Sequence, residues 1–260
     1  MGNRKSLIFA LRLILLVAVS SLYGCATTTP NGKSEVTPDP YEHTNRIFYS
    51  INDKLDRTIM QPVARSYVEV TPGIIRTGVT NFFDNLHYPN VILNTFLQGK
   101  LKQGVQDTSR FIFNSTLGIG GLLDIATGIG LPKHNEDLGQ TLAVWGFKSG
   151  AYLYIPLIKG PSTVRDTTDL ATSTLLDPLT YLSSIVLWPV EALNVINKRA
   201  NLLNDTSLRD EAAVDPYSFT REAYIQRRKY LIHDGKLPTE GYDDIFNDNS
   251  SEDQPKLIIK

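Results

Sequence analysis

Residues 41–62 read YEHTNRIFYSINDKLDRTIMQP, and their spacing decides the fold class. Ile47, Ile51, Leu55 and Ile59 recur every four residues with Phe48 beside them, the period of an α-helix and not of a strand. Pro62 then marks a break or kink. The same period returns along the chain. Thr71-Pro72 reads as a cap followed by proline at the first helical position. The helix behind it carries Ile75, Val79, Phe82, Phe83 and Leu86 and stops before Pro89, and Asn90 caps a shorter one ending at Gly99. Leu101, Val105, Thr108 and Ile112 carry a further helix toward Thr116. Helical patterns follow from Asp137 to Trp145, from Thr163 toward Leu176 behind a Ser162 cap, from Glu191 to Asn204 and from Tyr217 to Asp234. The last becomes basic at Arg227, Arg228 and Lys229, which suits a helix C-terminus, and Gly235 fits the position just beyond it. Ala151 to Ile158 is apolar and extended, with Pro156 arguing against a central strand. Thr180 to Leu187 is apolar, and Pro189 interrupts it. With no βα rhythm and no internal repeat, the expected class is all-α, built from short amphipathic helices bounded by Pro or Gly. From spacing alone, the apolar stripes more readily turn inward and form a core, although helices that lie in a membrane interface look alike in sequence.

The chain of 260 residues is 42% apolar, enough for a substantial core. It has a single cysteine, Cys25, which excludes an internal disulfide and a Cys/His zinc cluster. Cys25 lies just past the apolar run Leu7 to Val19, itself preceded by Arg4 and Lys5 and interrupted by Arg12. That run is too short to span a bilayer comfortably and suits the apolar part of a signal peptide. Leu22-Tyr23-Gly24-Cys25 resembles a bacterial lipobox, cut between Gly24 and Cys25 after the thiol is diacylated. The anchor explains why one thiol is kept. Ala26, in place of the Asp associated with inner-membrane retention, points to the outer membrane. The expected organisation is a signal peptide over 1–24, a lipidated polar tether over 25–38, a helical domain over 39–237 and an acidic disordered tail over 238–260. Removing residues 1–24 leaves 23 basic against 27 acidic residues, which gives no electrostatic reason to bind nucleic acid.

Catalytic patterns are missing. His43, His87, His134 and His233 stand in unlike contexts with no H-E-x-x-H. Ser162 in GPSTV lacks the second glycine of a nucleophile elbow. Gly118-Ile119-Gly120-Gly121 starts like a dinucleotide loop, but Leu123 stands where the third glycine belongs. Asp166 and Asp169 read as a solvated face. No catalytic residue, cofactor or metal is expected. The most unusual stretch is Leu117 to Leu131, LGIGGLLDIATGIGL. It reads either as a buried turn in which Gly118, Gly120 and Gly121 permit close packing, or as a hinged apolar loop that touches lipid or gates a lipid path.

Six blocks of sequence resemble one family, the MlaA (VacJ) outer-membrane lipoproteins of the intermembrane phospholipid transport system. They are the lipobox ending in Cys25, DPYEHTNRIFYSINDKLD (39–56), PNVILNTFLQGK (89–100), RFIFNSTLGIGGLLDIAT (110–127), EDLGQTLAVWGFKSGAYLYIPLIKGPSTVRD (136–166) and DPYSFTREAYIQRRKYLIHDGK (215–236). The resemblance implies an all-α fold, a flat ring of helices lying within the outer membrane around a central amphipathic channel, held by a trimeric porin. It implies removal of mislocalised phospholipids from the outer leaflet. These would pass to a soluble periplasmic carrier and then to an inner-membrane ABC transporter complex, with no covalent chemistry. It also implies a loop near the channel mouth that affects transport, carried over to Gly118, Gly120, Gly121, Gly128 and Gly130. A non-transporting envelope scaffold, or adaptor, is the alternative.

Overall fold

The computed structural model describes residues 39–157 and 159–236. The signal peptide, Gly24, Cys25, the tether and the acidic tail lie outside them. The described chain is mostly helical with one two-stranded hairpin. Helix α1 spans Glu42–Leu55. It continues through a π-helical turn, Asp56–Met60, directly into α2, Gln61–Val70. Pro62 therefore does not end the helix. It lacks an amide proton and its ring crowds the preceding turn, and the widened turn, in which Gln61 N–H donates to Asp56 O, absorbs both defects.

Helix α3 runs unbroken over Gly73–Leu97 with Pro89 inside it, where the sequence suggested two helices. Its contacts with α4 (Leu101–Thr116) and with three later helices hold it together against the local break. Beyond the glycine-rich turn come α5 (Ile125–Gly128) and α6 (Leu138–Val144), each capped by an aspartate. Asp124 accepts from Thr127 N–H, and Asp137 accepts from Gln140 N–H.

Ala151 to Thr163 folds as an antiparallel hairpin, β1 (Tyr152–Ile155) and β2 (Gly160–Thr163), with Tyr152 opposite Thr163 and Ile155 opposite Gly160. Ser162 is thus a buried strand residue and not a helix cap. The helix expected behind it begins later, as a 3₁₀ turn at Asp166–Thr168 and α7 at Asp169–Leu176. A second 3₁₀ turn, Pro178–Tyr181, leads to α8 (Ser184–Asn201), which passes through Pro189. Helices α9 (Leu203–Ala212) and α10 (Pro216–Ile232) complete the described fold.

The two ends of the domain meet. Arg46 on α1 pairs with Asp215 at the start of α10 (2.7 Å) and lies 4.4 Å over the ring of Tyr217. Asp39 accepts from the Tyr217 hydroxyl and from Arg221. The open edge of β1 is covered by one side chain: Asn45 Nδ2 donates to Tyr152 O (3.1 Å), and Tyr154 N–H donates to Asn45 Oδ1 (2.9 Å). A buried amide thereby stands in for a third strand, satisfying an edge that would otherwise be unpaired. Tyr49, Tyr152 and Tyr217 pack there edge to face, with Tyr154 and Tyr224 against them.

Candidate functional site

The polarity of the helices is the reverse of that of a water-soluble core. On α1 and the π turn, Ile47, Ile51, Leu55 and Ile59 face outward, with Ile51 49% and Ile59 50% exposed, while Asn45 and Tyr49 are buried. On α4, Leu101, Val105 and Ile112 are exposed, whereas Gly104, Asp107, Arg110 and Asn114 are buried. On α8, Ile185 and Trp188 stand out, and Asn194, Asn197 and Ala200 turn in. Among the described residues, ten hydrophobic residues are buried against sixteen polar or charged ones. A water-soluble domain of this size has the opposite balance, and contiguous exposed apolar surface on this scale marks a surface met by lipid or protein.

Buried polar groups are costly unless bonded, and most of these are. Asn94 Nδ2 donates to Asn90 O (2.8 Å). The Thr141 hydroxyl donates to Asn94 Oδ1 (2.8 Å), and the Thr95 hydroxyl to Asp107 (3.1 Å). Asn197 Nδ2 donates to the Thr80 hydroxyl (2.8 Å). The bonds of Thr141, Thr95 and Asn197 join helices where apolar contact would join them in a soluble bundle. An interior held by hydrogen bonds under an apolar exterior suits a medium that offers no hydrophobic drive between helices. No described helix is long and apolar enough to cross a membrane.

A cavity of about 430 Å³ opens between α1, the π turn, the hairpin, α8 and α9. Its lining includes apolar groups, from Leu55, Met60, Pro161 and Val195. It also includes charges of both signs, from Asp53, Asp56, Lys159, Arg199 and Arg209. The Arg199 guanidinium grips both oxygens of Asp56 (2.6 and 2.9 Å), and Arg209 reaches Asp53 (3.3 Å). The π turn supplies Asp56 and Met60 to this wall. The volume lies within the roughly 300–1,000 Å³ usual for ligand pockets.

The glycine-rich turn is packed at its base and open at its tip. A Cβ on Gly118 would lie 2.2 Å from Leu123 O, and one on Gly121, where φ is +97°, would lie 2.5 Å from Asn85 Cβ. Only glycine fits at these two positions. Gly120, Gly128 and Gly130 face open space. Ile119, between Gly118 and Gly120, sits at φ +54°, an uncommon conformation for a branched residue, and is exposed. Arg110 pins the far end of the segment, donating to Thr127 Oγ1 (2.9 Å) and Leu131 O (2.7 Å) and pairing with Asp124. None of the five glycines lines the 430 Å³ cavity.

A charged cluster fastens α10. Arg228 donates to both oxygens of Asp137, and its Nη2 also donates to Asp166 Oδ1 (3.0 Å). Asp166 accepts from the Tyr224 hydroxyl as well (2.7 Å). Asp166 is therefore buried and clamped, not on a solvated face. Burial works to raise the Asp137 pKa. Arg228, by hydrogen bond and charge, and the Gln140 donors outweigh that and hold the carboxyl below its ordinary value. Among the described residues, no group of three or more His, Cys, Asp or Glu could hold a metal ion.

A helical chain that bonds its interior with polar groups and turns its apolar faces outward has the polarity that suits lipid surroundings. The chain belongs to the MlaA lipoprotein family, whose model matches residues 37–231. It is 36% identical over 233 residues to the intermembrane phospholipid transport system lipoprotein MlaA of Escherichia coli (strain K12), covering 86% of this chain and 89% of the relative. The protein of the same name in Shigella flexneri matches to the same extent. An uncharacterized protein of Rickettsia bellii is also 36% identical, over 204 residues, with 78% of this chain and 79% of that one covered. A solved structure described as "Structural basis for maintenance of bacterial outer membrane lipid asymmetry" superposes with a TM-score of 0.67 at 33% identity. It covers 75% of this chain and 99% of its own.

Proposed function

We propose that this protein is an outer-membrane lipoprotein that removes mislocalised phospholipids from the outer leaflet and so maintains lipid asymmetry. The observation that carries this reading is the inverted polarity around an amphipathic cavity. Exposed stripes such as Ile47, Ile51 and Ile59 suit acyl chains, and the cavity sets charged groups beside apolar ones, as a molecule with a charged head and apolar tails requires. The names of the relatives, which refer to intermembrane phospholipid transport, support it.

In this reading the helices form a flat ring in the bilayer around a channel, and the 430 Å³ cavity is part of the lipid path. Cys25 carries the acyl anchor after cleavage at Gly24–Cys25. The open tip at Gly120, Gly128 and Gly130, with Ile119, lies against lipid or at the channel mouth. Gly118 and Gly121 fix its base. A trimeric porin holds the body in place, a soluble periplasmic carrier receives the lipid, and an inner-membrane ABC transporter complex takes it onward. Transfer requires no bond to be made or broken, so the protein acts without catalytic residues. The test is the outer-leaflet phospholipid content of a deletion strain. Accumulation reversed by the wild-type gene is expected. An unchanged leaflet with normally expressed protein would instead favour a scaffold.

A further inference from the structure

The charged wall of the cavity holds a donor whose bonding is incomplete. Arg199 is nine-tenths buried, and its Nε and Nη2 are both taken by Asp56. Its Nη1 is buried with no hydrogen-bond partner among the described residues. A guanidinium offers five N–H donors in a fixed fork, and a buried charged donor left unused is disfavoured unless something completes it. The other cations of the wall are already engaged: Lys159 Nζ donates to Asp166 O (2.6 Å), and Arg209 reaches Asp53 and Asp210. With Lys159, Arg199 and Arg209 against Asp53 and Asp56, the wall carries one more positive than negative charge.

We propose that Arg199 is a phosphate-binding residue of the lipid path, that its guanidinium turns from Asp56 to take an anionic oxygen of a phospholipid headgroup, and that Asp56 holds the guanidinium in position until then and competes with the phosphate for it. The inference rests on the reading of this cavity as lipid path. It adds that the path reads the headgroup, whereas an apolar path would select by access alone. The surrounding wall fits the assignment. Leu55, Met60 and Val195 leave the acyl chains apolar contact next to the charged end, and Asp53 offers a carboxylate to a headgroup amine. Planar bidentate donors suit phosphate oxygens, and a desolvated site strengthens the bond.

The full-length lipoprotein, reconstituted in vesicles with a photoreactive residue in place of Met60, provides the test. The vesicles carry labelled phosphatidylethanolamine or, in a parallel arm, labelled diacylglycerol, which lacks the phosphate. Phosphatidylethanolamine is expected to label the cavity about tenfold more than diacylglycerol, the size of one charge-assisted hydrogen bond. Arg199→Gln is expected to bring it down to the diacylglycerol level while leaving diacylglycerol labelling unchanged. Asp56→Asn, which frees the guanidinium, is expected to raise phosphatidylethanolamine labelling. A merely structural ion pair would make both variants fail alike, and that result overturns the assignment. Equal labelling by the two lipids in the wild type overturns it while keeping the cavity as lipid path. No labelling by either lipid overturns both. Persistence of the signal in excess inorganic phosphate identifies the lipid head as the source. Its loss there assigns the site to free phosphate and overturns the proposal.

Discussion

Removing the guanidinium of Arg228 should release the last helix of the domain. The side chain is 12% exposed and sits between Asp137 (19%) and Asp166 (2%), giving hydrogen bonds to both. In Arg228→Leu the two carboxylates remain buried without their shared cation. Breaking a buried pair by deleting one partner costs about 3–5 kcal/mol, more than removing both members together. Asp166 keeps the Tyr224 hydroxyl and Arg165 as partners. Asp137 keeps the Gln140 donors. The loss is therefore placed at the lower end, about 3 kcal/mol. Arg228→Lys retains the charge but not the fork and should lose about half as much. The assay is equilibrium unfolding in detergent micelles, followed by circular dichroism and by proteolysis of α10. Adding Asp137→Asn to Arg228→Leu should recover part of the loss, because the uncompensated charge is gone. A change below about 1 kcal/mol for Arg228→Leu, the range of an exposed pair, would refute the reasoning.

The outward stripe should hold the body to lipid independently of the acyl anchor. In a Cys25→Ala background, serine at Ile47, Ile51 and Ile59, each about half exposed, should remove about 1 kcal/mol per residue of lipid contact. The expected reduction in vesicle flotation is roughly a hundredfold, and unchanged flotation would refute it. Gly121→Ala should lower the melting temperature in detergent more than Gly120→Ala. Both have positive φ, but only Gly121 meets Asn85 at 2.5 Å. Asp137 has a depressed pKa in the fold, so its contribution to stability is complete above the ordinary carboxylate value near 3.9 and is lost as pH falls through the lower, folded value. An acid titration of unfolding should show that slope below about pH 4 in the wild type and a shallower one in Asp137→Asn.

The helical class was legible because the period of Ile47, Ile51 and Leu55 survives any environment. The direction of the stripe was not, since periodicity is the same whether the apolar face meets protein or lipid. A second pattern carried the missing information. Asn90 and Asn94, Asn194 and Asn197, and Asp107, Arg110 and Asn114 also recur at helical spacing, and these are the faces that are buried. Pro89 and Pro189 misled as breaks because neighbouring helices hold the chain helical through them, and at Pro62, read as a break or kink, a π turn carries the helix on. The hairpin was only half visible. Pro156 and Pro161 argue against a central strand but not against a two-stranded ribbon whose free edge is closed by Asn45. Asp166 looked solvated because its partners, Arg228 and Tyr224, lie about sixty residues away. The cavity wall draws on residues from Tyr49 to Arg209, so no local spacing reveals it. The glycine-rich stretch divides between the two readings offered for it, with Gly118 and Gly121 required by close packing and Gly120, Gly128 and Gly130 exposed.

The chain has two tryptophans, Trp145 and Trp188, and Trp188 stands 70% exposed on the apolar face of α8. With Trp145 replaced by Phe, the fluorescence of Trp188 in proteoliposomes reports directly what surrounds that face. Strong quenching by lipids brominated on their acyl chains, with little quenching by aqueous acrylamide, is the predicted result. Full acrylamide quenching with no response to brominated lipid would contradict the claim that the outward faces of these helices lie in the bilayer.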